Sequence, residues 1–310
     1  MNRETQRKGL GAYLAGKGRE AVRNWDCYVF LLPFLLIFSV FVIAPVFMSI
    51  YYSFTYYNIL QPPQFVGWQN YQNLFVGDDV FLTALKNTFL LAVITGPVGY
   101  IASLLTAWCI NELSAPLRAV MVTVMYAPSI CGGAYMIWKV LFSGDAYGYL
   151  NGILMSLGLI YEPVQWLTDT NYMLGVSMVV MLWMSLRSGF LSFVAGFQTI
   201  DKSMYEAGYV EGIRNRWQEL WFITLPMMKP QLMFGAVMSI TGAFSCGAVQ
   251  EALFGNPSTD YAAHTLLNHM NDYGGVRFEM GYACAIATFL FVVMMGCNGL
   301  VQKLLRKVGT

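Results

Sequence analysis

The chain is expected to be an all-α membrane protein of six transmembrane helices with both termini cytoplasmic. Three observations predict this. Of its 310 residues 57% are hydrophobic and 11% charged, with a mean hydropathy of +0.52, which leaves too little polar surface to cover a soluble globule. The apolar residues gather in runs of at least ~20, enough as helices to cross a ~30 Å hydrocarbon core. These runs are continuous and rich in Leu, Met, Ala and Gly, without the period-two alternation of a membrane barrel.

Residues 1–26 form a basic tail. Its stretch Gly11-Ala-Tyr-Leu-Ala-Gly16-Lys17-Gly18 imitates a phosphate loop, but Gly18 stands where a Mg²⁺-binding Ser or Thr belongs and no buried strand precedes it. The tail is therefore expected to lie on the anionic leaflet. The transmembrane domain then occupies 27–310. Its first apolar run, 28–56, is far longer than the 7–15 residues of a signal-peptide core, and no Ala-x-Ala site follows, so it is expected to stay as a helix. Five more runs follow at 82–110, 117–142, 172–197, 227–253 and 278–301. With both termini inside, fourteen of the eighteen Lys and Arg residues are cytoplasmic, Lys86, Lys139 and Arg277 are outside, and Arg187 lies within a span. That bias fixes the orientation. The outer segments carry Asp78, Asp79, Asp145 and Asp272 among Gly, Pro, Asn and aromatics, which read as ordered surface turns.

No metal or disulfide chemistry is indicated. The six cysteines stand singly in or beside spans, with no CxxC. His264 and His269 are five apart in an outer loop without Cys companions, a poor metal pattern. Nor does any clustered set of His, Cys or carboxylates suggest an enzyme active site.

The cytoplasmic segment of about 200–226 is the most informative part of the chain. Ser203-x-x-Glu206 fits a capping box and Gly212 suits the left-handed residue that stops a helix, predicting a helix, a turn and a second helix. Ala207 and Gly208 would leave a strip of the first helix nearly bare, open to close approach by another protein. In the second helix Trp217 and Trp221 share a face turned to the spans or the interface.

This segment resembles the EAA loop of binding-protein-dependent ABC importers, a Glu-Ala-Ala, three residues, Gly, nine residues, Ile-x-Leu-Pro pattern. Here it reads Glu206, Ala207, Gly208, Gly212, Ile223, Leu225 and Pro226. Upstream, Trp183, Gly189-Phe190 and Gln198-Thr-Ile200 are similar to the approach found in sugar-type permeases, so the likeness covers roughly 183–230. Three departures stand out. Gly208 replaces the second alanine, Asp201 stands where a proline is usual, and ten residues separate Gly212 from Ile223, the extra one being expected within 213–216.

The resemblance implies a type I ABC importer permease fold of the maltose and multiple-sugar branch, in a bacterial or archaeal cell membrane. It also implies a heterodimer with a second permease, two separate ATPase subunits that dock on the loop and use ATP and Mg²⁺, and an extracytoplasmic sugar-binding protein. No cofactor, no catalysis and no nucleic acid belong to this chain on that reading. The alternative is an ion-driven secondary transporter, which would carry inverted repeats and intramembrane acids.

Within the spans, Arg187 flanked by Ser185 and Ser188 either lines the solute path or extends to the cytoplasmic interface. A lone charge there costs about 2.5–3.5 kcal/mol and needs one or the other. By resemblance the fourth and fifth spans border the sugar site, making Trp183 and Ser239 candidates, although a membrane Ser also commonly bonds its own backbone.

Overall fold

The computed structural model describes residues 23–131 and 133–305. The phosphate-loop-like 11–18 stretch and the basic residues Arg306 and Lys307 lie outside them. The chain divides at residues 51 and 52 into two units. In the first, helix α1 (Trp25–Tyr52) is apolar throughout and buries no residue from Trp25 to Phe38. A helix apolar all round belongs in lipid or against other spans. It takes up the first predicted run, and a π-helical turn at Ser39–Ile43 interrupts it.

The second unit opens with a two-stranded hairpin, β1 (Thr55–Tyr56) and β2 (Gln64–Phe65), paired antiparallel with Thr55 opposite Phe65. Buried Asn70 pins it by donating to the carbonyls of Ser53 and Thr55, each at 2.9 Å. Helix α2 (Asp79–Asn111) follows and is the central element. Thr88, Thr95 and Ser103 recur along it and return their hydroxyls to carbonyls four residues back. A membrane helix tolerates these polar groups because its own backbone satisfies them.

The third predicted run does not form one helix. It splits into α3 (Ala115–Ile130) and α4 (Met136–Leu141), with Pro128 in the last turn of α3 and Gly133 at φ +83° beyond it. Proline removes a hydrogen bond and a left-handed glycine reverses the chain. Among the described residues five stretches are therefore long and apolar enough to span a membrane: Trp25–Tyr52, Asp79–Asn111, Thr170–Thr199, Lys229–Phe254 and Met280–Leu305.

The fourth and fifth runs are also interrupted. Helix α5 (Tyr149–Ser156) lies in the outer segment before the fourth run, which divides into α6 (Thr170–Trp183) and α7 (Ser188–Thr199). After helices α8 (Lys202–Val210) and α9 (Arg216–Glu219), the fifth run divides into α10 (Lys229–Phe244) and α11 (Gly247–Phe254). An outer helix α12 (Leu266–Asn271) precedes the last span, α13 (Met280–Leu305). Helices α2, α7 and α10 pack on one another, and α10 also packs on α13. Close approach of α7 and α10 depends on glycine: a Cβ on Gly235 would lie 2.3 Å from the Phe193 ring. Small residues permit such contacts between membrane helices.

The break between α6 and α7 frees backbone groups that the bilayer cannot satisfy. Neighbouring helices supply the donors. Ser129 Oγ donates to the Leu186 carbonyl at 2.6 Å, and the Ser103 hydroxyl, bonded chiefly to Gly99 at 2.7 Å, shares its proton with the Ser185 carbonyl at 3.3 Å. Ser129→Ala is expected to cost about 1 kcal/mol, read as a small fall in the detergent melting temperature. An unchanged melting temperature would mean another donor reaches Leu186.

The segment after α11, expected outside the membrane, is more deeply folded than surface turns would be. His264 and His269 are each only 2% exposed. Asp78, read as a surface residue, instead caps α2 by accepting from the Phe81 N–H at 2.9 Å. It also meets His269 Nε2 at 2.9 Å and accepts from the Tyr282 hydroxyl at 2.8 Å. Among the described residues no group of His, Cys, Asp and Glu is arranged to hold a metal ion.

Candidate functional site

The polar loop forms the expected helix, turn and helix, but it begins differently. Asp201, in extended conformation, caps α8 by accepting from the Ser203 N–H at 3.1 Å. The capping box expected from Ser203 and Glu206 is thus replaced by a carboxylate cap two residues earlier. Glu206 is exposed. At the other end Gly212 adopts φ +97°. Its N–H donates to the Tyr209 carbonyl, and the Ile213 N–H donates to that of Gly208 at 3.0 Å. This paired arrangement closes a helix on a left-handed glycine.

The small residues of α8 do not form one bare strip. Ala207 is exposed, while Gly208 is buried, and a Cβ there would stand 2.6 Å from Ile223 Cδ1 and 3.2 Å from Ile213 Cδ1. Gly208 seats α8 on the following helix and leaves Glu206 and Ala207 facing outward. Asn215 caps that helix, accepting from the Gln218 N–H. The helix begins as α9, passes through a π-helical turn at Leu220–Thr224 and ends at Leu225–Met227. A π-turn takes one residue more than an α-turn, and this one begins inside the interval between Gly212 and Ile223 but beyond 213–216, where the extra residue is expected from the sequence. Ile223 is buried, and Leu225 and Pro226 are half-buried.

A polar network fastens these pieces. Glu219, buried at 4% exposure, accepts from the Tyr209 hydroxyl at 2.5 Å and from Arg216 Nη1 at 2.8 Å. The other arm of Arg216 reaches Glu112, just past the end of α2, at 3.0 Å. Burial alone would raise the Glu219 carboxyl, but the bonds from Tyr209 and Arg216, with the Arg216 charge, hold it below its ordinary value. Tyr205 and Thr224 join hydroxyls at 3.0 Å. Trp217 packs one side of its ring on Trp108 of α2 at 4.9 Å, and both Trp217 and Trp221 are otherwise exposed. Sequence reasoning missed Glu112, Tyr205, Tyr209, Arg216, Glu219 and Thr224 as a set. The one local signal was the i,i+3 spacing of Arg216 and Glu219.

A second candidate lies within the membrane. The two interrupted helices bring their breaks together, Met184, Ser185 and Arg187 from one and Cys246 from the other, around a cleft also lined by Ser239. Arg187 Nε donates to the Met184 carbonyl at 3.0 Å, and its guanidinium lies beside Gly242. Arg187 therefore turns into the cleft. Irregular backbone at membrane depth is tolerated where it borders such a cavity. Ser239 donates to the Gly96 carbonyl of α2 at 2.8 Å, so it bonds a neighbouring span rather than its own helix.

Two of the expected pathway residues lie elsewhere. Trp183 packs edge-on against Trp138 at 5.5 Å, and Ser188 starts α7 outside the cleft lining. Thr95, Tyr100 and Ser103 of α2 line the cleft instead. Their recurrence along the apolar middle of this helix was the available signal. The cavity measures about 50 Å³, room for one or two waters.

Comparisons with known proteins agree with this architecture. The chain is 29% identical to the probable ABC transporter permease protein YesP of Bacillus subtilis (strain 168), across 97% of this chain and 96% of that protein. It is 30% identical to the lactose transport system permease protein LacF of Rhizobium radiobacter, across 71% and 72%. In fold it is similar to a chain of a bacterial alginate ABC transporter crystallised with an alginate pentasaccharide-bound periplasmic protein. That likeness has TM-score 0.75 and 23% identity, and covers 94% of this chain and 98% of that one. Residues 97–308 match the family described as the binding-protein-dependent transport system inner membrane component. This multi-pass membrane chain belongs to that family of ABC importer permeases.

Proposed function

We propose that the chain is the membrane-spanning subunit of an importer for a mono- or oligosaccharide, coupled through α8 to separate ATPase subunits. The carrying observation is the build of α8. A helix of nine residues cannot hold itself in water, yet this one is capped at both ends and seated through Gly208 on Ile223. Its outer side, with Glu206 and Ala207, stays exposed. Such a helix is a rigid key for a partner's groove.

A second, similar permease supplies the facing half of the pathway, and a sugar-loaded extracytoplasmic protein delivers the solute. Carbohydrate as the substrate class is supported by relatives named for lactose and arabinooligosaccharides. The cleft around Arg187, Ser185 and Ser239 is too small for a sugar in this conformation and would widen when the spans rock. Chemistry belongs to the ATPases, which use ATP and Mg²⁺; this chain moves. An ion-driven carrier would need an intramembrane acid, whereas Arg187 is the charged group among the described residues lining the cleft.

The test is purification of the chain from its native membrane in mild detergent, with mass spectrometry of what accompanies it. A second six-span permease and an ATPase are expected. Glu206→Ala should lose the ATPase and keep the permease. A chain that purifies alone, or an ATPase retained equally by the variant, would count against the assignment.

A further inference from the structure

Force reaching α8 has an obvious outlet in the span that follows it. The polar network shows a second one. Tyr209, in the last turn of α8, bonds Glu219; Glu219 bonds Arg216; and Arg216 bonds Glu112 at the cytoplasmic tip of α2. Beside the ion pair runs a ring contact between Trp217 and Trp108. Trp108 and Glu112 are four apart, hence on one face of the α2 tip, and Arg216 and Trp217 are adjacent. The re-entry helix therefore grips α2 at two neighbouring points, one polar and one aromatic.

The place being gripped matters, because α2 packs on both α7 and α10 and carries Thr95, Tyr100 and Ser103 into the membrane cleft. We infer that Arg216, held between Glu112 and Glu219, is a positioning residue that makes α2 a second output of the coupling helix. Displacement of α8 is then passed to the cleft from two sides. The inference rests on the ATPase-coupling role proposed above. Glu219 serves as the fixed end of the latch, since it is buried and doubly bonded. The arm between Arg216 and Glu112 is half-exposed, at 59% and 45%, so it can yield and re-form as the spans move.

Glu112→Ala cuts the polar link to α2 and leaves the Tyr209, Glu219 and Arg216 bonds and the Trp217–Trp108 ring contact intact. In the reconstituted complex with its partner permease, ATPases and sugar-loaded binding protein, the variant should assemble normally and keep stimulated ATP hydrolysis. Sugar imported per ATP should fall about three- to fivefold, the scale of an exposed ion pair acting as a coupling term. Glu112→Gln, which keeps an acceptor without the charge, should fall between. A wild-type ratio in Glu112→Ala overturns the inference. So does a parallel loss of hydrolysis and uptake, which would make Glu112 a plain support of the loop. Failure of the broader reading is distinguishable: the wild-type chain would then show no ATPase association, and the latch would fall with it.

Discussion

Gly208→Leu is expected to lower coupled sugar uptake at least tenfold while leaving the chain in the membrane. Gly208→Ala should remain within about twofold of the original. The two substitutions differ in what they ask of one side chain. An alanine Cβ meets the far end of Ile223 at 2.6 Å, and a rotamer change can move a terminal methyl aside. Helix propensity returns about 1 kcal/mol when Gly becomes Ala, which offsets that adjustment. Alanine is also the residue that the EAA pattern places here.

Leucine brings three further carbons into the same space, with Ile213 closing the other side at 3.2 Å. Overpacking of this kind costs about 1–3 kcal/mol. In a nine-residue helix the cheapest relief is to lift α8 off its seat, which also strains the bond from Tyr209 to Glu219. A shift of about 1.4 kcal/mol in seating is already a tenfold change in population. Uptake and ATPase stimulation in the reconstituted complex measure this, with membrane abundance as control. Gly208→Leu with full uptake would show that α8 does not need its seat.

These residues also show which parts of the molecule were readable in advance. Continuous apolar runs located the helices because burial in lipid depends on local composition alone. The stop at Gly212 was readable too, since a left-handed residue is a local demand. The interruptions at 184–187 and 245–246 were not. Neither contains the Pro or left-handed Gly that ended α3, and the first persists because Ser103 and Ser129 answer its carbonyls from other helices. Their effect is to bring Ser185, Arg187 and Cys246 to one cleft, so the cleft stayed hidden with them. Which way Gly208 faces depends on Ile223, fifteen residues later. The outer histidines looked like surface-loop residues because Asp78, which pairs with His269, is 191 positions away in sequence.

That distant pair sets up the other large effect. Asp78→Ala is expected to destabilise the second unit by about 3–5 kcal/mol, the scale of removing one member of a buried polar pair. Three bonds end on this carboxylate, from Phe81 N–H, His269 and Tyr282. Burial alone would raise its pKa, but these bonds and the His269 charge bring it down to about 2. Asp78→Asn, which can still cap α2, should cost less. The neighbouring His264 loses stability on protonation in the same sense, at higher pH. Its ring nitrogens have no partner among the described residues, and burial, with the His269 charge nearby, lowers its pKa to about 4 from 6.5. The unfolded chain therefore takes up that proton first. The stability held by neutral His264 is complete above about pH 6.5 and drains away as the pH falls toward 4, while Asp78 adds a further loss only below about pH 3.8. Melting temperature against pH should fall between 6.5 and 4 in the original chain and run flatter there in His264→Leu. A slope unchanged by His264→Leu would assign the acid limb to another group; a flattened one would locate acid sensitivity on the outer face, away from the coupling loop.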